Sequence, residues 1–518
     1  MLTDDAGPVP LSLGTIAELN AWSVPELEAV VDGARRVTWA ALHDRTARLA
    51  GALGAKLNAS RGDRVAFLGM NCLETIELFH ATARAGLLCV PLNERLSPAE
   101  LRAIVESVEP VALLCTASHA DLASELVSGT PAVLVGVAFP APLTYDDLLM
   151  AGRPMPAVEP EPVSSICFTS GTTGRPKGVL MTQRAQCLFA RVQAELEPIR
   201  PRARHLYVRP IAVAPGHRMI AWHGISQGTT VVAPRFEPGE FFRLLEAERI
   251  TNVLLAPTTL RMLLDHGNPA RHDLSSLACI VYGGAPMTAQ LLREVLDFFP
   301  CGLMQGYGGS EAGQVLYLSP DDHRAGRVDS NGRPVPGVDI EVRDRSGGAL
   351  PPGEVGELHV RSEMLMAGYW RDPANTRKVL RDGWYATGDL AQHEPDGYLR
   401  IVGRVSDMII SGGFNVMPLE VENVIAAHPA VREVAVYAAP DPLWGEAVEA
   451  AVVLRSGAQV TAGELIELCR GRLASFKKPR RIVFVGSIPR TSAGKVDKRA
   501  LRAAAAAGQA FRHRGPSD

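Results

Sequence analysis

The chain lacks the marks of several large protein classes. No two of its eight cysteines are spaced C-x-x-C, so neither a zinc knuckle nor a disulfide framework is indicated. Most of them stand in apolar runs and read as buried, reduced thiols. No stretch reaches the roughly 18 apolar residues that cross a bilayer; the longest candidate, PAVLVGVAFPAPL, is short and broken by prolines. The opening MLTDDAGPVP has no basic region followed by an apolar one, and the closing RHRGPSD matches no peroxisomal or retention signal. A cytoplasmic location is the expectation. Net charge is only −3, which gives no bulk electrostatic reason to expect nucleic acid or an anionic membrane as partner. No Ser-His-Asp or Cys-His constellation offers a covalent nucleophile.

What is present is an ordinary globular composition, 47% hydrophobic and 21% charged, over 518 residues. That length predicts two to four domains. From about residue 36 to 155, amphipathic helices alternate with short apolar strands: DRVAFLG, CLETIELFHATARAG, LLCVPLN, PAELRAIVESV, PVALLC. The rhythm recurs from 230 to 305. It predicts doubly wound α/β sheets with helices on both faces. From about 327, alternating segments rich in Gly and Pro predict an antiparallel, barrel-like part. After IVGRVSDMIISGGFNVMPLEVENVI, a hairpin leading into a helix, the pattern predicts a compact α+β module. The boundary falls at Gly403 to Asp407, giving a large domain 1–402, a connector 403–407 and a small domain 408–518.

Residues 168–178 read FTSGTTGRPKG. Glycines let the backbone approach a ligand closely, and hydroxyls with freed N–H groups form a concave donor surface for phosphate oxygens. The alternative is a polar surface loop. The loop does not fit G-x-x-x-x-G-K-[ST], because Lys177 precedes Gly178 and Val179 follows. A nucleoside triphosphate is therefore expected, though not held in the P-loop manner.

Other polar clusters fall at strand ends, where open α/β sheets bind ligands. IVYGGAP ends a strand with Gly283 and Gly284. QGYGGSEAG follows another strand and offers Tyr307 as a stacking face and Glu311 as a carboxylate for magnesium on phosphate. YATGDL sets Asp389 after a glycine in a tight turn, where it could accept ribose hydroxyls or merely cap. Arg404 stands in GRVSD. Lys495 stands in the Ser/Gly-rich loop PRTSAGKVDKRAL; alone it would read as a surface lysine.

In order and spacing, these pieces resemble the adenylate-forming superfamily of acyl-CoA synthetases, luciferases and adenylation domains, from about residue 36 to 502. The resemblance implies ATP, Mg²⁺ and coenzyme A, a small-molecule carboxylic acid, and a mobile small domain turning about a hinge near Ser406. It implies that Thr169, Ser170, Gly171, Thr172, Thr173, Gly174 and Lys177 cover the β- and γ-phosphates. Gly284, Ala285, Gln305, Tyr307 and Gly308 would hold adenine; Ser310 and Glu311, phosphate and metal; Asp389 and Arg404, ribose. Lys495 would bridge the substrate carboxylate and the α-phosphate. Catalysis would fall to Lys495, Glu311, Thr169 and Lys177.

The acceptor implied is coenzyme A, at Gly412, Gly413, Trp444, Phe476, Lys477, Lys478 and Arg480; a carrier-protein phosphopantetheine is the alternative acceptor, and a catalytically idle nucleotide-binding protein the alternative outside the enzymes. The chain departs from the family pattern at Ser406, where Asp or Lys is usual, at Ser310, where Thr is usual, and at Val213, where an aromatic or histidine gate is common. Val213, His217, Gly283, Gly306, Gly308 and Gly313 are the candidates for the acyl pocket. Small residues there favour an aromatic or medium to long acyl group; Arg209, His217 and Arg218 offer instead a place for a second polar or acidic group.

Overall fold

A computed structural model describes residues 11–159, 162–169, 176–197, 202–267, 269–491 and 494–507. Among them the strands form four sheets. The first has nine strands. Its parallel centre runs Gly302–Gly309, Cys279–Gly283, Asn252–Leu255, Arg204–Tyr207, Thr229–Val232 and Glu28–Asp32. Antiparallel strands close both edges. The second has eight strands around a parallel centre of Leu88–Leu92, Arg64–Leu68, Ala112–Thr116 and Val133–Val137. Strands such as Leu88–Leu92 are buried throughout, as expected where helices cover both faces.

Local signals start the helices. Thr38 Oγ1 accepts the Ala41 N–H at the head of Trp39–Leu57. Ser97 and Glu100 form a reciprocal cap, with Pro98 at the first turn of Pro98–Val108. Thr182 caps Gln183–Leu196. The helices pack between the two large sheets, where Trp222, Tyr207, Phe67 and Phe79 are almost fully buried. All eight cysteines are free, six of them buried and two half-buried.

The antiparallel part expected after 327 is a five-stranded sheet of Val338–Arg343, Val355–Ser362, Trp384–His393, Leu380–Arg381 and Leu399–Arg404. Beyond it lies the small α+β domain. Its sheet contains Phe414–Val416, Ile409–Ser411, Gly445–Leu454, Val431–Asp441 and the parallel strand Arg481–Phe484.

Two sequence expectations are corrected. Asp389 is not in a tight turn: it lies within the strand Trp384–His393, paired across to Arg404. A left-handed Gly388 (φ +73°) and a register shift between Leu390 and Ala391 break the strand's regularity there, and that irregularity is what reads as a turn in sequence. Likewise Tyr307 does not follow its strand but lies inside Gly302–Gly309. The hairpin back to Gly313–Leu318 is so close that a Cβ on Gly308 would sit 1.9 Å from the Gly313 carbonyl oxygen.

The small domain rests on the large one. Arg432 pairs with Asp265 at 2.7 Å, and Arg455 joins Arg261 on Glu294 at 2.7 and 2.6 Å. Arg502, from the last described helix Lys498–Ala506, donates to the carbonyls of Ser406 and Asp407, each at 3.0 Å.

Candidate active site

The polar clusters lie toward the C-terminal ends of parallel strands of the nine-stranded sheet, the crevice side of an open α/β sheet: Gly284 follows Cys279–Gly283, and Tyr307 lies late in Gly302–Gly309. Asp389 is the best-furnished carboxylate there. Oδ2 accepts from Tyr307 Oη at 2.6 Å, and Oδ1 accepts from Arg404 Nε at 2.9 Å. The Asp389 N–H donates to Thr387 Oγ1 at 3.0 Å, and that hydroxyl donates to the Leu358 carbonyl. Burial and the neighbouring carboxylate raise the Tyr307 phenol well above its usual range. Burial works against the Arg404 charge, but Asp389, Asp407 and Tyr307 together outweigh it and raise its pKa. Gln305 lies deeper, with Oε1 3.5 Å from the Tyr282 hydroxyl, which contacts His323 Nε2 at 2.8 Å.

Glu311 is held by groups the sequence did not single out for it. Tyr369 Oη donates to Glu311 Oε1 at 3.2 Å. Arg218 donates to the Gly309 and Ser310 carbonyls, both at 2.9 Å, so one buried guanidinium fixes the two residues preceding Glu311. Burial lowers the Arg218 pKa to about 10. Lys177 Nζ stands 5.1 Å over the Tyr369 ring, linking the phosphate-loop lysine to the Glu311 support. Thr169 and Lys177 face each other in register as the two feet of a hairpin. Ser170, Gly171, Thr172, Thr173 and Gly174 lie outside the described residues.

Lys495 reaches this crevice from the small domain. Its surface is open to water, yet protein surrounds it at longer range, and the surroundings set its acidity. Burial lowers its pKa, and Arg404 and Arg209 lower it further against the opposing pull of Asp389 and Glu311. Three residues on, Lys498 is paired with Glu422 at 2.7 Å.

The residues expected around the acyl group divide. Val213 is half-buried at the head of the helix Ala214–Ile225, its N–H on the Pro210 carbonyl. His217 is fully buried edge-on against Phe79, ring centroids 4.7 Å apart, with both ring nitrogens lacking a hydrogen-bond partner. Gly283 packs so tightly that a Cβ would lie 2.2 Å from the Gly306 carbonyl oxygen. Gly313 lies under Met364. Gly306 and Ala285 are partly open, and Gly284 is exposed.

On the small domain, Gly412 donates to the Trp444 carbonyl at 2.9 Å, and a Cβ there would strike the Trp444 ring at 2.2 Å. Arg480 stands 4.9 Å over that ring. Phe476 stacks on Phe414 at 4.6 Å, a partner the sequence did not suggest. Lys477 is tied to Glu420 at 2.7 Å, while Lys478 is half-buried beside it. Gly413 is left-handed at φ +84°. Ser406 lies in the single turn Val405–Asp407.

Among the described residues no three His, Cys, Asp or Glu side chains gather as metal ligands. Glu311 is a single carboxylate beside Ser310. That donor set fits a magnesium ion held chiefly by phosphate oxygens and water, with one carboxylate from the protein.

Comparison with known proteins agrees with this layout. The AMP-binding enzyme family matches residues 18–370, and the AMP-binding enzyme C-terminal domain matches residues 420–495. Feruloyl-CoA synthase of an Amycolatopsis species is 37% identical over 495 residues, covering 93% of this chain and 98% of its own. Indoleacetate–CoA ligase of Aromatoleum aromaticum is 36% identical over 478 residues, covering 90% and 93%. The solved amide bond synthetase of Marinactinospora thermotolerans superposes with a TM-score of 0.88 at 34% identity, covering 95% of this chain and 99% of its own. With its adenylate motifs in order and both family domains matched, the chain belongs to the AMP-binding enzymes, the adenylate-forming acid–thiol ligases that use ATP, Mg²⁺ and coenzyme A.

Proposed function

We propose that this enzyme joins an aryl or medium- to long-chain carboxylic acid to ATP as an acyl adenylate, then passes the acyl group to coenzyme A. The observation that carries the proposal is Lys495. It is an exposed ammonium of the small domain with no ion-pair partner among the described residues, within electrostatic range of Glu311, Asp389 and Arg404. In the first step a carboxylate oxygen of the acid attacks the α-phosphorus, the bond to the β-phosphate oxygen breaks, and pyrophosphate leaves. Such transfers rest on positioning and electrostatics more than on a protein nucleophile. Lys495 stabilises charge between the two anions, Asp389 and Arg404 seat the ribose, and Tyr307 borders adenine. Glu311, oriented by Tyr369 and by Arg218, holds magnesium, which when bound neutralises phosphate charge. Lys177 and Thr169 anchor the loop over the departing pyrophosphate.

In the second step the thiol sulfur attacks the acyl carbon and AMP leaves. The connector 403–407 serves as the hinge that exchanges Lys495 for the thiol entry. Trp444 with Arg480, and Phe476 with Phe414, form the aromatic and cationic edge that receives the coenzyme, and the left-handed Gly412–Gly413 corner leaves room for its narrow arm. Similarity to an amide bond synthetase supports a second reading in which an amine takes the acyl group.

ATP–pyrophosphate exchange across aryl and fatty acids, followed by product analysis with coenzyme A, a carrier protein or an amine, tests both steps. We expect exchange with at least one acid and a coenzyme A thioester as product. Trp444→Ala is expected to raise the KM for coenzyme A roughly 3- to 10-fold, the worth of a cation–π pair and its ring, with exchange unchanged. An unaltered KM, or an amide as the only product, would reject the acceptor assignment.

A further inference from the structure

Three cationic or ionisable side chains near the crevice could meet a polar group on the substrate acid, and the structure separates them. His217 is packed in the core against Phe79, and burial holds it uncharged, its pKa lowered to about 3. Arg218 spends its guanidinium on the Gly309 and Ser310 carbonyls. Arg209 has no such employment. Its backbone is pinned, with Asn71 Nδ2 donating to the Arg209 carbonyl at 3.0 Å and the Ile211 N–H donating to Asn71 Oδ1 at 3.1 Å. Its side chain has no hydrogen-bond or ion-pair partner among the described residues, and Nε is buried without one.

Position tells where that guanidinium points. Arg209 follows the C-terminal end of the strand Arg204–Tyr207, and Gly284 follows the end of Cys279–Gly283. One strand, Asn252–Leu255, separates them in the sheet. Nη2 of Arg209 spans that gap, lying 3.6 Å from where a Cβ of Gly284 would be. Its charged neighbours are Arg95 and Lys495, both cations. Arg209 is half-buried, but its Nε is sealed from water without a partner, and a guanidinium so placed with no anion is costly to keep. Burial, with Arg95 beside it, lowers its pKa to about 10.

We infer that Arg209 receives a second anionic group, a carboxylate on the substrate acid remote from the one that reacts at Lys495. A neutral acceptor would satisfy the N–H groups but leave the charge uncancelled. The inference rests on the proposed reading of the crevice as the acid site, and it narrows the substrate class to aryl or medium-chain dicarboxylic acids.

The test compares matched pairs, each a dicarboxylic acid and the monoacid of equal length bearing a methyl group in place of the second carboxylate. ATP–pyrophosphate exchange is measured for the wild type, Arg209→Lys and Arg209→Met. The wild type is expected to favour the dicarboxylic partner roughly 10- to 100-fold in kcat/KM, the worth of hydrogen bonds to a charged group. Arg209→Met should erase or invert that preference while monoacid turnover stays within a few-fold, and Arg209→Lys should keep part of it. Thermal unfolding should show a stabilising shift with the diacid for wild type and none for Arg209→Met. Because the side chain has no partner to lose and its charge is costly to keep, the unliganded variant should fold at least as stably as the wild type. Equal loss on both acids of a pair would overturn the inference by assigning Arg209 to the reacting centre. A wild type that exchanges only with monoacids would overturn it while leaving the ligase reading intact. Exchange with no acid of either kind would overturn both.

Discussion

One side of the crevice is satisfied and the other is not. On the wall, Asp389 has partners on both oxygens, Glu311 is held by Tyr369, and Arg218 donates to two carbonyls with only its Nε left unpartnered. Across it stand Lys495 and Arg209, two cations without a carboxylate to pair with among the described residues. Lys498, only three residues from Lys495, has Glu422. Paired groups orient; they have little free energy left for a ligand. Unpaired charges hemmed in by other cations do the reverse, because an arriving anion relieves their mutual repulsion and any desolvation cost. On the proposed reading, the wall would place the nucleotide, and Lys495 and Arg209 would meet developing or arriving negative charge.

The largest expected effect tests the unpaired side. Lys495→Ala should lower adenylate formation about 10²–10³-fold, the usual worth of one preorganised charge-stabilising group. Thiolation of a supplied acyl adenylate should stay within a few-fold. Equal loss in both half-reactions, read by pyrophosphate exchange and by single-turnover thioester formation, would place Lys495 among the structural groups.

Next comes the paired side. Asp389→Asn keeps the shape but removes the charge that Arg404 and Tyr307 meet. The KM for ATP should rise about 10-fold, the scale of a charged hydrogen bond. Stability should fall by at most about 1 kcal/mol, because Arg404 is half exposed and water screens the loss of its counterion. A variant with lost stability and an unchanged KM would make this cluster a strut and nothing more.

The smallest effect is on stability against pH. The Lys495 pKa is lowered in the folded state, so across the window between that lowered value and the ordinary lysine value the unfolded chain holds more protons. Stability then rises with pH through that window, and the penalty of charging Lys495 is fully present below it. The difference between wild type and Lys495→Met in chemical denaturation should shrink as the pH is raised. A pH-independent difference would mean that Lys495 is not desolvated.

Much of this was legible in sequence. The alternation of apolar strands and amphipathic helices predicts the parallel sheets, and the motif order predicts the family. What sequence could not show was pairing across distance. Tyr369 lies 58 residues from Glu311 in the chain and carries no motif of its own that points there. The irregular strand around Asp389 reads as a turn because Gly388 looks like punctuation, whereas its partner strand Leu399–Arg404 supplies the hydrogen bonds that keep it extended. His217 looks available in sequence; only the packing of Phe79 shows that it is buried. The employment of Arg218 and the idleness of Arg209 differ by hydrogen bonds that no local pattern encodes.

The two domains are clasped by ion pairs that lie at the surface. Arg432–Asp265 is more than one-third exposed on both partners, and Arg455 is 37% exposed where it meets Glu294. Contacts of that kind contribute about 0–1 kcal/mol each and weaken with salt. The clasp is a shallow detent: it registers this pose by a margin that binding or loss of a charged nucleotide would be large enough to outweigh.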